Sequence, residues 1–184
     1  MDILINPVKA VLKAKKERSI NKTLLILFES WIFVGIGLFI TLYNYSPIIA
    51  LGSSIATLLL GTLFSIFCSY IVDVIMSILG GKGKYFDGLT AVTYSSLPIS
   101  VGVLVTSFLY LVSPILGGLV GFVAIAITTA LSFSVYFRAV KELYSTDTVI
   151  TLVGFLILMY VFIIALYLSA SLPLMSAAFR SIPI

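Results

Sequence analysis

ILGGKGKYFDG, residues 78–88, stands between two long apolar runs and holds two lysines, one aspartate and four glycines. Three readings compete: a phosphate cradle, part of an active site, or a turn joining two membrane helices. A phosphate-binding loop of the GxxxxGK type needs Ser or Thr after the lysine and lies between a strand and a helix. Here Tyr85 follows Gly83-Lys84, and both flanks read as membrane spans, so that reading fails. What survives is a turn, with Gly80 and Gly81 ending one helix and Asp87 capping the next.

Composition supports membrane spans. The chain has 184 residues, 61% hydrophobic and 10% charged, with a mean hydropathy of +1.23; a soluble domain carries about 25% charged residues. There is no histidine, which removes His-based triads, His general bases and nearly all transition-metal sites. The single cysteine, Cys68, permits no internal disulfide. No cofactor is expected. The net charge of +4 reads as juxtamembrane lysine and arginine rather than a nucleic-acid face.

Five apolar segments are long enough to cross about 30 Å of hydrocarbon: residues 23–43, 48–79, 89–112, 115–137 and 148–172. The links are short, so neighbouring spans are antiparallel. The expected fold is an all-α membrane protein, a bundle of five transmembrane helices. Residues 1–22 form a basic tail and residues 23–184 a single transmembrane domain. The tail leads into a full-length span with no small-residue cleavage site, so no cleaved signal peptide is expected. Lys9, Lys13, Lys15, Lys16, Arg18 and Lys22 of the tail, Lys82 and Lys84 of the second link, and Arg138 and Lys141 of the fourth share one side of such a bundle; Arg180 stands alone on the other. The positive-inside rule puts the N-terminus in the cytoplasm and the C-terminus outside.

In the tail, Pro7 suits a first helical turn with Asn6 as N-cap, and Val8, Val11 and Leu12 recur at helical spacing. Residues 7–18 therefore read as a short amphipathic interfacial helix; the plainer alternative is a basic tail without structure. The second span carries Ser53, Thr57, Gly61, Ser65, Ser69, Asp73 and Ser77 at spacing four, and the fourth carries Gly118, Ala126, Ala130 and Ser134, broken by Phe122. Such ridges are either close-packing faces or a polar path. If they face each other, Asp73 pairs with Arg138. Glu29, inside the first span, should turn to the bundle, to bind a cation or proton or to pair with Lys82, Lys84, Arg138 or Lys141. Glu29, Asp73, Arg138 and Lys141 are thus the candidate charge network. Pro98 interrupts the third span and frees a backbone carbonyl, to be met by Ser95 or Ser96, so Tyr94 and Pro98 mark a candidate hinge or a packed kink.

The whole-chain pattern carries a resemblance. A short segment with Asn6-Pro7 precedes a span containing Trp31. Leu79-Gly80-Gly81-Lys82-Gly83-Lys84-Tyr85 follows, then Tyr94-Ser95-Ser96-Leu97-Pro98, then a basic link before a last span. This resembles the YIP (Ypt/Rab-interacting protein) domain family of five-span membrane proteins, over nearly the whole chain. One departure is Leu143-Tyr144-Ser145-Thr146-Asp147, where a glycine-containing turn is expected. The resemblance implies a non-enzymatic membrane protein that associates with other membrane proteins or with itself. It also implies a short prokaryotic-type member in a cell membrane. Eukaryotic relatives bind small GTPases through a longer N-terminal region, so GTPase binding does not carry over.

A second enzyme class, the intramembrane aspartyl proteases, places two aspartates on neighbouring helices, the second in GxGD. Asp73 and Asp87 are the candidates, but Asp87 lies in Tyr85-Phe86-Asp87-Gly88. The leading expectation is a membrane organiser in which Gly80, Gly81, Lys82, Gly83 and Lys84 meet anionic headgroups or an acidic partner at the cytoplasmic face. The alternative is a small transporter or channel using Glu29 and Asp73. A cytoplasm-active reporter fused after Ile184 should be silent and one inserted between Lys82 and Lys84 active; activity after Ile184 would mean a different number of spans.

Overall fold

The computed structural model describes residues 7–17, 19–161 and 163–164. Among these residues six helices follow one another: α1 (Pro7–Glu17), α2 (Ile20–Leu42), α3 (Pro47–Ile78), α4 (Tyr85–Val112), α5 (Pro114–Tyr144) and α6 (Thr148–Val161). Helices α2 to α5 are long and apolar enough to cross a membrane. Helix α6 is a shorter apolar helix, and the rest of the expected fifth span lies outside the described residues, as do Asn6, Arg18 and Arg180.

Local chemistry sets the helix starts. Ser46 and Ser113 stand at N-caps in extended backbone, each followed by a proline at the first helical position, where the missing N–H costs nothing. The Ser46 hydroxyl accepts from the N–H of Ile49 at 3.4 Å. Ser19 caps α2 in the same way, accepting from the N–H of Lys22 at 3.4 Å. At the other end of the bundle, α4 starts at Tyr85 and α5 runs on to Tyr144, both beyond the apolar limits near Leu89 and Phe137. The polar extension of α5 is held because Val135, Ala139, Val140, Leu143 and Tyr144 are buried on protein.

Helix α4 is the centre, with α5, α2, α3 and α1 all packed on it. Its spanning stretch is the least apolar of the four, and its buried face mixes Leu89, Ala91 and Leu97 with Thr90, Thr93, Ser100 and Ser107. Lipid is as apolar as leucine, so helix pairs in a membrane rely on close packing and hydroxyl hydrogen bonds. Each major contact shows this. Trp31 Nε1 of α2 donates to Ser65 Oγ of α3 at 3.0 Å, and Thr41 Oγ1 of α2 donates to Ser107 Oγ of α4 at 3.3 Å. Thr106 Oγ1 of α4 donates to the Gly121 carbonyl of α5 at 3.2 Å. At Pro98 the N–H of Ile99 donates to Ser132 Oγ of α5 at 3.1 Å. Ser95 and Ser96 donate to the carbonyls of Val92 and Thr93, so the freed carbonyl is not their partner.

The two small-residue ridges part ways. On α3, Gly61, Ser65 and Ser69 are buried, and the Trp31 ring lies against Gly61. On α5, Gly118, Ala126, Ala130 and Ser134 all face outward, and the packed stripe is Gly117, Gly121, Val135 and Ala139. The expectation of two facing ridges is therefore corrected: the glycines on the packing face of α5 are Gly117 and Gly121, and Gly117 is one position, or about 100° of helix, from Gly118.

Helix α1 lies on α5 and α4. Among the described side chains its buried face is Ala10, Val11 and Ala14, while Leu12, expected on the same face as Val11, is 38% exposed; the Val8 side chain lies outside the described ones. Lys15 Nζ reaches the carbonyls of Glu142 at 2.9 Å and Leu143 at 3.2 Å. A cation there satisfies unpaired carbonyls and complements the negative end of the α5 dipole. Glu17 accepts from Lys22 Nζ at 2.8 Å, which lowers its carboxyl pKa; the pair is solvent-exposed and contributes little.

A side chain at residue 61 would run into the Trp31 ring. Gly61→Leu should destabilise by about 1–3 kcal/mol. Thermal melting in detergent checks this, and because Trp31 is the sole tryptophan, its emission should shift in the same variant. An unchanged melt and spectrum would mean that Trp31 does not sit on Gly61.

Candidate functional site

The basic end of the bundle is where α1, the α3–α4 turn, the end of α5 and the start of α6 converge. The turn is built in steps. Gly80 takes φ +85°; its N–H donates to the Ser77 carbonyl at 3.2 Å and that of Gly81 to the Met76 carbonyl at 2.8 Å. This is a Schellman ending, which favours glycine at the left-handed position. The Lys82 N–H then donates to the Tyr144 carbonyl at 2.9 Å, tying the turn to the last residue of α5. The Lys84 N–H donates to Asp87 Oδ2 at 2.8 Å. Asp87 thus caps α4 from inside its first turn, with Lys84 in the N-cap place, and is 4% exposed.

The glycines make room for one ring. A Cβ on Gly83 would overlap Tyr144, coming within 2.7 Å of Cε1, and a Cβ on Gly81 would come within 3.1 Å of Tyr144 Cδ1 and 2.9 Å of the Met76 carbonyl oxygen. A Cβ on Gly88 would lie 2.8 Å from the Tyr144 hydroxyl oxygen. Tyr144 is fully buried, and its hydroxyl donates to Asp73 Oδ1 at 3.1 Å. Lys82 and Lys84 themselves are exposed. Their backbone is pinned while their ammonium groups project outward.

The four charged residues expected to form a network are not brought together. Asp73, half-buried, is bound by Tyr144, not Arg138. Arg138 is exposed on α5, and the ion pairs among the described residues are Lys13–Glu17 and Lys22–Glu17. The Asp73–Arg138 pairing is therefore corrected: Arg138 projects beside the outward-facing stripe of α5, and the Tyr144 hydroxyl reaches Asp73 from the end of the same helix. Glu29 is exposed on α2 and does not turn to the bundle. Lys141 Nζ donates to Thr148 Oγ1 at 2.8 Å, bracing the α5–α6 turn. Tyr94 is buried, 3% exposed, in the core with Leu97 and Val11, and Pro98 is half-buried within a continuous α4.

Sequence pattern does not single out Tyr144 or Lys15 as site residues. The one local signal for Tyr144 is its place at the end of a basic link, before Ser145 in left-handed backbone. Nothing near it in sequence points to a glycine turn some sixty residues earlier.

Tyr144→Phe should cost about 1–3 kcal/mol by leaving the Asp73 carboxylate short of a donor. Melting of Tyr144→Phe, Asp73→Asn and the double variant in detergent should show non-additive losses, whereas Asp73→Asn with Arg138→Gln should add. Coupling in the second pair and none in the first would reject this geometry.

A family model described as the Yip1 domain matches residues 1–172. No curated protein and no solved structure matches the chain significantly. The family match takes in the docked N-terminal helix, the glycine–lysine turn and the four long apolar helices alike, and it makes the chain a membrane protein of the Yip1 domain family.

Proposed function

We propose that the chain is a non-enzymatic membrane organiser. Its basic end lies on the cytoplasmic face, binds anionic lipid headgroups or other membrane proteins there, and influences membrane shape or trafficking. The observation that carries this is the exposed pair Lys82 and Lys84 on a turn pinned at both ends, by the Tyr144 carbonyl and by Asp87. A preorganised backbone lowers the ordering cost of binding. Each lysine close to an anionic surface contributes about 1 kcal/mol.

Other features support the same direction. The lysines and arginine of the described residues gather at this end, and the outer turns Tyr43–Ser46 and Ser113 carry no charge. Lys9, Lys13 and Lys16 of α1 border a shallow groove around Leu12, so the helix presents a basic face on the side away from its docked one. This suits an interfacial position over an anionic leaflet. The transporter alternative lacks comparable support, since Glu29 stands exposed on α2 and Asp73 is engaged by Tyr144.

In Lys82→Glu/Lys84→Glu, reversing both charges should lower the ratio of anionic to zwitterionic lipid carried through mild-detergent purification by at least about tenfold, given about 1 kcal/mol per lysine. Melting should change little, because neither ammonium group makes a hydrogen bond within the described residues. An unchanged lipid ratio, or tight ATP or GTP binding by the pure protein, would overturn the reading.

A further inference from the structure

Helices α5 and α6 leave a cleft of about 300 Å³ between them, lined by Phe133, Ser134, Phe137, Arg138, Leu152 and Phe155. Its polarity is graded. Arg138 and Leu152 lie toward the basic end, and farther along the two helices stand the rings of Phe133 and Phe155, edge to face with centroids 5.5 Å apart. Arg138 makes no hydrogen bond or ion pair within the described residues. The nearby cation, Lys141, is already engaged by Thr148. Depth fits the same gradient. Helix α5 has 31 residues, about 46 Å, against about 30 Å of hydrocarbon. With Pro114 at the opposite surface, Arg138 falls in the last ten residues or so, at headgroup level, while Phe133 reaches the level of the acyl chains.

We infer that this cleft holds one anionic phospholipid, its phosphate on the Arg138 guanidinium and part of one acyl chain against Phe133, Phe137 and Phe155. A planar guanidinium fits a phosphate with two parallel hydrogen bonds, which an ammonium group cannot match. The Ser134 hydroxyl lines the same cleft beside it. The volume falls at the lower end of pockets that take small organic ligands, enough for a chain segment and not for a helix. A free phosphate would use the cation and leave the aromatic walls uncovered. The inference rests on the reading of the protein as a binder of anionic lipid, but at a site separate from the Lys82–Lys84 turn and of single occupancy.

The test is native mass spectrometry of the full chain, stripped of lipid in detergent and offered phosphatidylglycerol, phosphatidylcholine or inorganic phosphate. Wild type should retain one phosphatidylglycerol under activation that removes the rest, and retain phosphatidylcholine far less. Arg138→Gln should cut that retention about tenfold, the loss of one charge-assisted contact, and Arg138→Lys should fall between. Leu152→Trp, at an exposed position, should plug the cleft and cut retention with the charge unchanged. Melting curves close to wild type would show that these surface variants fold. Equal retention in Arg138→Gln and Leu152→Trp would overturn the inference. So would displacement of the lipid by inorganic phosphate alone, which means a bare anion site, or a dimer in place of the lipid-bound monomer that Glu29→Gln dissolves, which means that an acid of a second copy occupies Arg138. Lys82→Glu/Lys84→Glu separates the two readings. If it strips the retained lipid while Arg138→Gln does not, the cleft is wrong and the turn stands. If bulk anionic lipid is unaffected by the turn variant yet Arg138 still governs the retained molecule, the turn is wrong and the cleft stands.

Discussion

The ring of Tyr144 is fully buried and its hydroxyl donates to Asp73, so the end of α5, the end of α3 and the start of α4 must all meet around one side chain. That constraint reaches far. Gly81 and Gly83 are needed where the turn crosses the ring, and Gly88 where α4 passes the hydroxyl. The Tyr144 carbonyl takes the Lys82 N–H, so the same residue holds the turn by backbone as well as by side chain. A buried phenol without a partner would cost more than the bond returns; Asp73 supplies the acceptor, and the phenol in turn shields a carboxylate that would otherwise be poorly placed in a largely apolar span.

Helix α1 closes the same end from outside. The described burial is small, three short side chains, and burial of that size at about 25 cal/mol per Å² would not hold so short a helix by itself. Lys15 adds what the apolar face lacks, capping the carbonyls of Glu142 and Leu143 just before the buried tyrosine. Fixing the last turn of α5 therefore also fixes α1, and the lysines on its opposite face acquire a defined direction. The lysines of α1 thus separate by direction, Lys15 turned inward to a helix end, Lys13 and Lys16 outward.

Within the spans, shape and hydroxyl bonds replace the hydrophobic driving force that operates in water. This explains why the spanning stretch of the most central helix, α4, is the least apolar of the four. Its threonines and serines are turned inward, and the large apolar side chains of α3 and α5, such as Leu60, Leu63, Leu119 and Phe122, are turned out. A measure of average hydropathy sees the spans; it does not see which of their faces meet.

Some of this was legible in the residues. Long apolar runs with few charges determine an all-helical membrane chain, because unpaired backbone polar groups cannot be left in hydrocarbon. The glycine–lysine turn and the family resemblance were also readable, since Gly80-Gly81 after an apolar run and Asp87 before the next one are local chemistry acting within a few residues. The N-terminal helix was visible from Pro7 and its spacing, although its buried face was not: with Ala10 and Ala14 flanking Val11, small residues that carry little apolar signal were the ones that docked. Tertiary structure alone decided the partners. Asp73 lies at the end of a ridge that pattern aimed at Arg138, and a one-residue difference in the packed stripe of α5 turned that arginine outward, while Tyr144 reached in from the same helix. The physical reason is the 3.6-residue period: spacing of four drifts about 40° per step, so a stripe of small residues read by fours leaves the packing face within a few turns. Only the neighbouring helices settle where it is met.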